Sequence, residues 1–300
     1  MSDATSITLL LPADTIAKMK SFYADSLLPP TTPYMEFMAK EEGVTISAYK
    51  KSKDGYQKVL FQGEKAADES SLWGKADEAR KKNDKPSFIS AKGDQIGSDE
   101  VGTGDFFGPV IVVAAYLSKE DLPYLKELGV TDSKLLSDEK ILQIVPELIQ
   151  RLPYSALTCD NAKYNEVQSK GLNMNAIKAR MHNRCLLNLA RKYPKAKVYQ
   201  DQFAAPALYF SYLKQEKEVL RDITFATKGE TKFPCVALAS CIARYSFLRH
   251  MEEMGKKYGC VFPLGAGEAV DEFASAFIRK YGKEELYRVA KANFANMGRI

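Results

Sequence analysis

Ile96-Gly-Ser-Asp-Glu-Val-Gly-Thr-Gly-Asp-Phe-Phe-Gly-Pro109 sets two adjacent acids, Asp99 and Glu100, inside a strand-like run that ends at once in Gly102 and Gly104. Acids suit a strand poorly unless something binds them. Consecutive strand side chains point to opposite faces, so only one of the pair readily faces a site while the other lies at an edge or reaches round through a kink. The glycines supply that kink and leave backbone amides accessible. A solvated turn between two strands accounts for the acids and glycines equally well.

From Gln95 onward strand and helix patterns alternate, which means an α/β fold. The apolar run 109–117 follows the acids, helical patterns cover 138–151 and 174–192, and strands are expected at 197–199 and 222–225. A helix over about 234–256 places Val236, Ala237, Ser240, Ala243 and Phe247 near helical spacing, with Pro234 acceptable in its first turn. Further helical patterns cover 269–281 and 283–292. Two more acids follow the ends of predicted strands: Asp201, and Glu230 just before the small-residue helix. Strand ends of an α/β sheet are where ligands bind. If Asp99, Glu100, Asp201 and Glu230 converge, their mutual repulsion calls for hard divalent cations, and two such ions could activate water and stabilise a leaving oxygen in phosphodiester hydrolysis. Taken singly, Asp201 and Glu230 also read as ordinary surface acids.

Before residue 90 the pattern differs. Ser6 to Leu11 reads as a strand, and Asp14 could cap a helix running to about Leu27, stopped by Pro29-Pro30. The β-rich runs 34–39, 43–49 and 57–61, parted by Glu41-Glu42-Gly43 and by Lys51-Ser-Lys-Asp-Gly55, suggest a small antiparallel sheet. A closing helix is expected over 63–75, then a charged, small-residue stretch ending at Pro86. The expected organisation is a small α+β domain at 1–80, a linker at 81–92 and an α/β domain at 93–300.

Composition is consistent with this division. The chain has 300 residues against ~150 for a typical domain, and its 45% hydrophobic and 27% charged residues are those of a globular protein. Lys+Arg 43 less Asp+Glu 38 leaves +5, which permits a polyanionic partner without demanding one. The longest apolar run is about half the ~20 residues a bilayer span needs, and Met1-Ser2-Asp3 lacks the basic start of a secretory signal, so no membrane partner is expected. Five cysteines at irregular spacing, without Cys-x-x-Cys, point to a reducing, cytoplasmic compartment and against structural zinc. Gly102-x-Gly104 followed by Gly108 misses the dinucleotide fingerprint by one residue, which disfavours a nicotinamide enzyme. His182 and His250 have no metal-spaced partner and read as structural, and Trp73 reads as a core anchor.

The block 97–109, together with Thr131-Asp-Ser-Lys-Leu-Leu-Ser137, Asn173-Met-Asn-Ala-Ile-Lys178 and Lys228-Gly-Glu230 leading into Ala237-Leu-Ala-Ser-Cys-Ile-Ala243, resembles the bacterial type 3 ribonucleases H, the ribonuclease HIII family. Type 2 enzymes are similar through the same blocks, but their glycine loop usually reads Gly-Arg-Gly and their fourth acid is usually Asp. Thr103 and Glu230 favour type 3. The resemblance covers about 90–300 by motif, and the N-terminal pattern is similar to the TATA-box-binding-protein-like substrate domain of that family.

The resemblance implies a ribonuclease H-like catalytic domain that cuts the RNA strand of RNA/DNA hybrids, leaving 5′-phosphate and 3′-hydroxyl ends, with Mg²⁺ or Mn²⁺ as cofactor. It implies Asp99, Glu100, Asp201 and Glu230 as metal ligands. It also brings Gly102, Thr103 and Gly104 close to ribose 2′-hydroxyls near the scissile phosphate, the groups that mark a strand as RNA. Ser133, Lys134 and Lys232 are candidate substrate contacts, each lysine reading equally as exposed charge. Lys178, Arg180 and Arg184 form either a nucleic-acid track or a solvated helix face. Tyr49, Lys50, Lys51, Lys53 and Tyr56 interleave base and aromatic as a hybrid-binding surface would. The alternatives are type 2-like incision at single ribonucleotides and a non-catalytic hybrid-binding protein. Monomer is the expected state.

Overall fold

The computed structural model describes residues 6–41, 43–53, 56–73, 93–130 and 136–300, with only the backbone of 51–53. The chain divides into two compact units, residues 1–85 and 86–300. The expected linker at 81–92 lies outside the described residues, as do Ser133 and Lys134. No described helix is long and apolar enough to cross a membrane.

In the first unit β1 (Ser6–Pro12) leads into α1 (Ala13–Phe22). After the two-residue strand β2 (Leu27–Leu28) come β3 (Met35–Glu41), β4 (Val44–Lys53), β5 (Tyr56–Gln62) and α2 (Ala66–Ser71). The strands form one antiparallel sheet in the order β1-β5-β4-β3-β2. Period-2 alternation sorts its side chains. Leu9, Leu11, Phe37, Ile46, Val59 and Phe61 are buried with Ile16 and Met19 of α1, while Leu10, Tyr49, Lys58 and Leu60 stay at least partly accessible. Asp14 does not cap α1: the cap position is Pro12, and Asp14 sits in the first turn, where its charge meets the positive helix end. The helix stops at Phe22, five residues short of expectation, because Leu27 and Leu28 pair with Ala39 and Met38. Trp73 packs at the edge of this core and donates through Nε1 to the Tyr23 hydroxyl at 2.7 Å.

The second unit opens with β6 (Gln95–Val101), β7 (Val110–Leu117) and α3 (Leu122–Glu127). Then follow α4 (Asp138–Arg151), β8 (Tyr154–Cys159), α5 (Asn161–Ser169), α6 (Met174–Ala190), β9 (Lys197–Asp201), α7 (Pro206–Tyr212) and β10 (Thr224–Ala226). It closes with α8 (Pro234–Tyr258), α9 (Glu268–Tyr281) and α10 (Lys283–Val289). The sheet order is β10-β9-β6-β7-β8: β6, β7 and β8 form an antiparallel meander, and β9 and β10 run parallel to β6. Local chemistry sets the helix starts. Ser137, Asp160 and Asn173 each accept a backbone N–H three residues on, at 3.3, 2.7 and 2.9 Å. Gly259, with φ 63°, ends α8 in the left-handed region.

Helices cover both faces of this sheet. Ile111, Val113 and Ala115 of β7 pack under α8 and α4, while Val112 and Ala114 pack under Cys185 and Leu186 of α6. The tightest crossing is at Gly97: a Cβ there would stand 2.3 Å from the backbone of Cys235 and Val236, so only glycine lets α8 lie directly on β6.

Candidate active site

Because β6, β9 and β10 run parallel, their carboxyl ends meet at one edge of the sheet. Asp99 and Glu100 lie near the end of β6, Asp201 closes β9, and β10 leads into a 3-10 turn (Gly229–Thr231) that carries Glu230 into α8. This is the ligand-binding edge of such sheets.

Asp99 and Glu100 do straddle the sheet. Asp99 pairs in register with Val113, on the α8 side, and takes a hydrogen bond from Ser240 of that helix. Its Oδ1 also accepts the Glu100 amide at 2.8 Å. Burial, then the charges of Glu100 and Asp201, push its carboxyl well above the usual range. Glu100 pairs with Val112, on the α6 side. Its Oε1 accepts from Lys178 Nζ at 2.8 Å and its Oε2 from His182 Nε2 at 2.9 Å, while His182 Nδ1 is 2.9 Å from the Ser98 hydroxyl. The ring thus bridges Ser98 on one strand face to the Glu100 carboxylate through its two nitrogens. Burial alone would raise Glu100, but His182 and Lys178 outweigh it and hold the carboxyl down at about 2. The Lys178 ammonium also lies 4.0 Å from the centre of the Phe203 ring.

Asp201 Oδ1 accepts the Gly229 amide at 2.7 Å, which ties β9 to the turn bearing Glu230. Burial, and the charges of Glu230 and Glu100, raise its carboxyl against that bond. The turn begins at Lys228, whose φ of 54° makes it the only non-glycine residue with positive φ among the described residues. Asp99 thus feels the charges of Glu100 and Asp201, and Asp201 feels those of Glu230 and Glu100. Among the described residues, however, no three His, Cys, Asp or Glu side chains form a ready-made metal cage. Each of Asp99, Glu100 and Asp201 is held by a hydrogen-bond donor of the protein. The donor set itself consists of hard carboxylate oxygens, the chemistry that suits Mg²⁺ or Mn²⁺. Beside Glu100 and Ser240 opens a cavity of about 230 Å³, bordered by Asp138 and Arg244, which form a two-pronged ion pair at 2.9 and 2.8 Å.

The glycine loop divides in two. Gly102 has φ +83°, and a Cβ there would lie 2.0 Å from the Pro109 carbonyl oxygen, so its glycine is required by the fold. Gly104 is exposed and, among the described residues, nothing lies within 4 Å of a Cβ placed on it, so their packing does not require glycine there. Thr103 between them is half-buried. Lys232 caps the far end of the Glu230 turn and is half-buried.

Two expectations are corrected. Lys178 belongs to no exposed track or solvated face, since it is 6% exposed and paired with Glu100. Arg180 is paired with Glu216 at 3.3 Å, and of the three only Arg184 is exposed. His182 is wholly buried, but it is more than a packing residue because it holds a site carboxylate. Its spacing of four from Lys178 on one helix was the available signal.

A family model described as ribonuclease HII matches residues 96–297, and one described as a domain of unknown function (DUF3378) matches residues 6–86. Ribonuclease HIII of Bacillus cereus is 43% identical over 306 residues, covering 98% of this chain and 97% of the relative. The crystal structure of Bst-RNase HIII in complex with Mn²⁺ aligns with a TM-score of 0.68 at 35% identity, over 98% of this chain and 97% of that one. Ribonuclease H2 from Pyrococcus horikoshii OT3 aligns with a TM-score of 0.56 at 23% identity over 68% of this chain and 94% of its own, a likeness of fold.

Proposed function

Since the chain belongs to the ribonuclease HIII family, we propose that Asp99, Glu100, Asp201 and Glu230 hold the divalent metal ions with which it hydrolyses the RNA strand of RNA/DNA hybrids. The products are 5′-phosphate and 3′-hydroxyl ends, and the family's mechanism uses two metal ions. Bound metal supplies an activated water and charge stabilisation at the leaving oxygen. The observation that supports the site assignment is the convergence of these acids at one sheet edge: burial raises Asp99 and Asp201 first, and neighbouring carboxylates add a repulsion that a cation relieves.

The protein's own groups have separable tasks. Lys178 and His182 fix Glu100 in its ionised form. Ser240 orients Asp99, and the Gly229 amide orients Asp201. Gly102, Thr103 and Gly104 approach the riboses beside the cut, a reading supported by the open space around Gly104. Lys232, with Ser133 and Lys134, contacts phosphates, giving affinity without sequence choice. Mg²⁺ and Mn²⁺ both suit the carboxylates, and the protein acts as a cytoplasmic monomer, its five thiols free. Residues 1–80 form a TATA-box-binding-protein-like domain that binds hybrid through the uncovered sheet face. There Lys58 Nζ lies 5.8 Å from the centre of the Tyr49 ring, and Tyr56 is half exposed.

The test is gel analysis of a labelled uniform hybrid and of a duplex with one ribonucleotide, each with Mg²⁺, Mn²⁺ or EDTA, for wild type and Asp99→Asn. Hybrid cutting that needs metal and Asp99, without incision at the lone ribonucleotide, is expected. Full activity of Asp99→Asn would overturn the carboxylate assignment, and efficient incision at the lone ribonucleotide would favour the type 2-like reading.

A further inference from the structure

The loop proposed to read ribose is fastened from behind by a lysine that, among the described residues, touches no carboxylate. Lys291 is completely buried. Its Nζ donates to the carbonyl oxygens of Asp105 at 2.7 Å and Gly108 at 2.6 Å, and its amide donates to the Phe106 carbonyl at 2.9 Å. The same segment adds a bridge between Phe107 and Ala290 and a bond from the Gly108 amide to Val289. Asn161 Nδ2 donates to the Gly108 carbonyl as well, at 2.9 Å. The near side of the loop is held separately, by Gly265 donating to Asp105 Oδ1 at 2.6 Å.

Burial pulls the Lys291 amino group down to about 7, so it is an expensive group to keep there, and a methionine would fill the same space without that cost. What the amino group does that an apolar side chain cannot is draw two carbonyls three residues apart onto one point. We infer that Lys291 is a positioning residue, one that fixes the curvature of residues 102–108 and thereby the placement of Gly102-Thr103-Gly104 against the substrate ribose. This deepens the proposed function and rests on the reading that this loop senses the 2′-hydroxyl.

The test compares cutting at one chosen phosphate in an all-ribose hybrid with cutting at the same phosphate when the adjoining 2′-hydroxyl is replaced by hydrogen. The all-ribose to deoxy rate ratio is measured for wild-type full-length protein and for Lys291→Met. In the variant the ratio is expected to fall about tenfold, a loss consistent with a sub-ångström shift of a substrate-contacting group. A purely structural role would lower both rates with the folded fraction and leave the ratio unchanged, which would overturn the inference. A wild-type ratio near one would instead overturn the reading of the loop itself. Asn161→Ala removes one donor from the same Gly108 carbonyl while keeping the amino group, and should lower the ratio about threefold. If Lys291→Met does not fold, an unchanged ratio in Asn161→Ala overturns the inference.

Discussion

Gly97→Ala adds one methyl group where β6 and α8 touch. Its carbon would lie 2.3 Å from Cys235 C and Val236 N and 2.6 Å from Cys235 O, whereas ordinary contacts begin at 3.4 Å. The helix must therefore back away by 3.4 − 2.3 = 1.1 Å. Because the obstructing atoms are backbone, no side-chain rotation or truncation on α8 relieves the clash. Overpacking of this kind costs about 1–3 kcal/mol, which for a unit of this size lowers Tm by about 2–12 °C. The functional effect should be larger than the stability effect suggests. Ser240 lies five residues along the same helix from Cys235 and hydrogen-bonds Asp99, and the turn bearing Glu230 enters that helix directly. A displacement of about 1 Å at reacting groups is worth about 100-fold in rate. The assay is kcat on a labelled hybrid at saturating Mg²⁺, at a temperature where melting curves show the variant fully folded. Wild-type kcat and Tm together would refute the idea that the β6–α8 contact sets the carboxylates.

Asp99→Asn should raise the Tm of protein held in EDTA at pH 7.5 while abolishing cutting. The folded-state carboxyl lies above its unfolded value, so the cost of ionising it grows as pH rises through the folded value and is fully present above it. An unchanged or lower Tm in EDTA would argue against the crowding. Lys178→Met breaks an ion pair whose side chains are 7% and 10% exposed, at a cost of about 3–5 kcal/mol. Glu100 is held at about 2, below its ordinary 4.5, so its contribution is present above pH 4.5 and is lost as pH falls toward 2. The variant keeps the His182 bond to Glu100, so it should lose only part of that acid dependence, which urea melts at stepped pH would detect. Gly104→Ala should leave Tm within about 1 °C yet raise the hybrid KM, since only substrate competes for the added methyl's space. A KM equal to wild type would count against close approach of the ribose.

The carboxylate edge was readable because each acid sits where a strand pattern ends, and the α4 periodicity gave its bounds of Asp138–Arg151. What escaped was three-dimensional. The strand β8 alternates only between exposed and half-buried residues until Cys159, too faint a signal for a sheet edge. Lys178 looked like part of a charged helix face and His182 like a structural histidine, because nothing in the sequence says that the strand beside α6 presents a glutamate to them. Lys291 fell inside the stretch expected to be helical but lies just past the end of α10, and its partners are backbone carbonyls, which carry no residue-type signal. Cys260 is half-buried, while the other four thiols are buried.

The bond from Lys291 to Gly108 also has a meaning in time, for the two residues stand 183 positions apart. At about 5–20 residues per second a ribosome takes about 10–40 s to go from one to the other. During that interval β6, β7 and the glycine loop have been made, but their fastening has not. A nascent chain therefore emerges beside its own messenger RNA with the loop still unset, and messages that break or stall before codon 291 yield fragments that lack the piece needed to finish it. The placement of this lysine so late in the chain makes near-completion of synthesis a condition for setting the loop that it fastens.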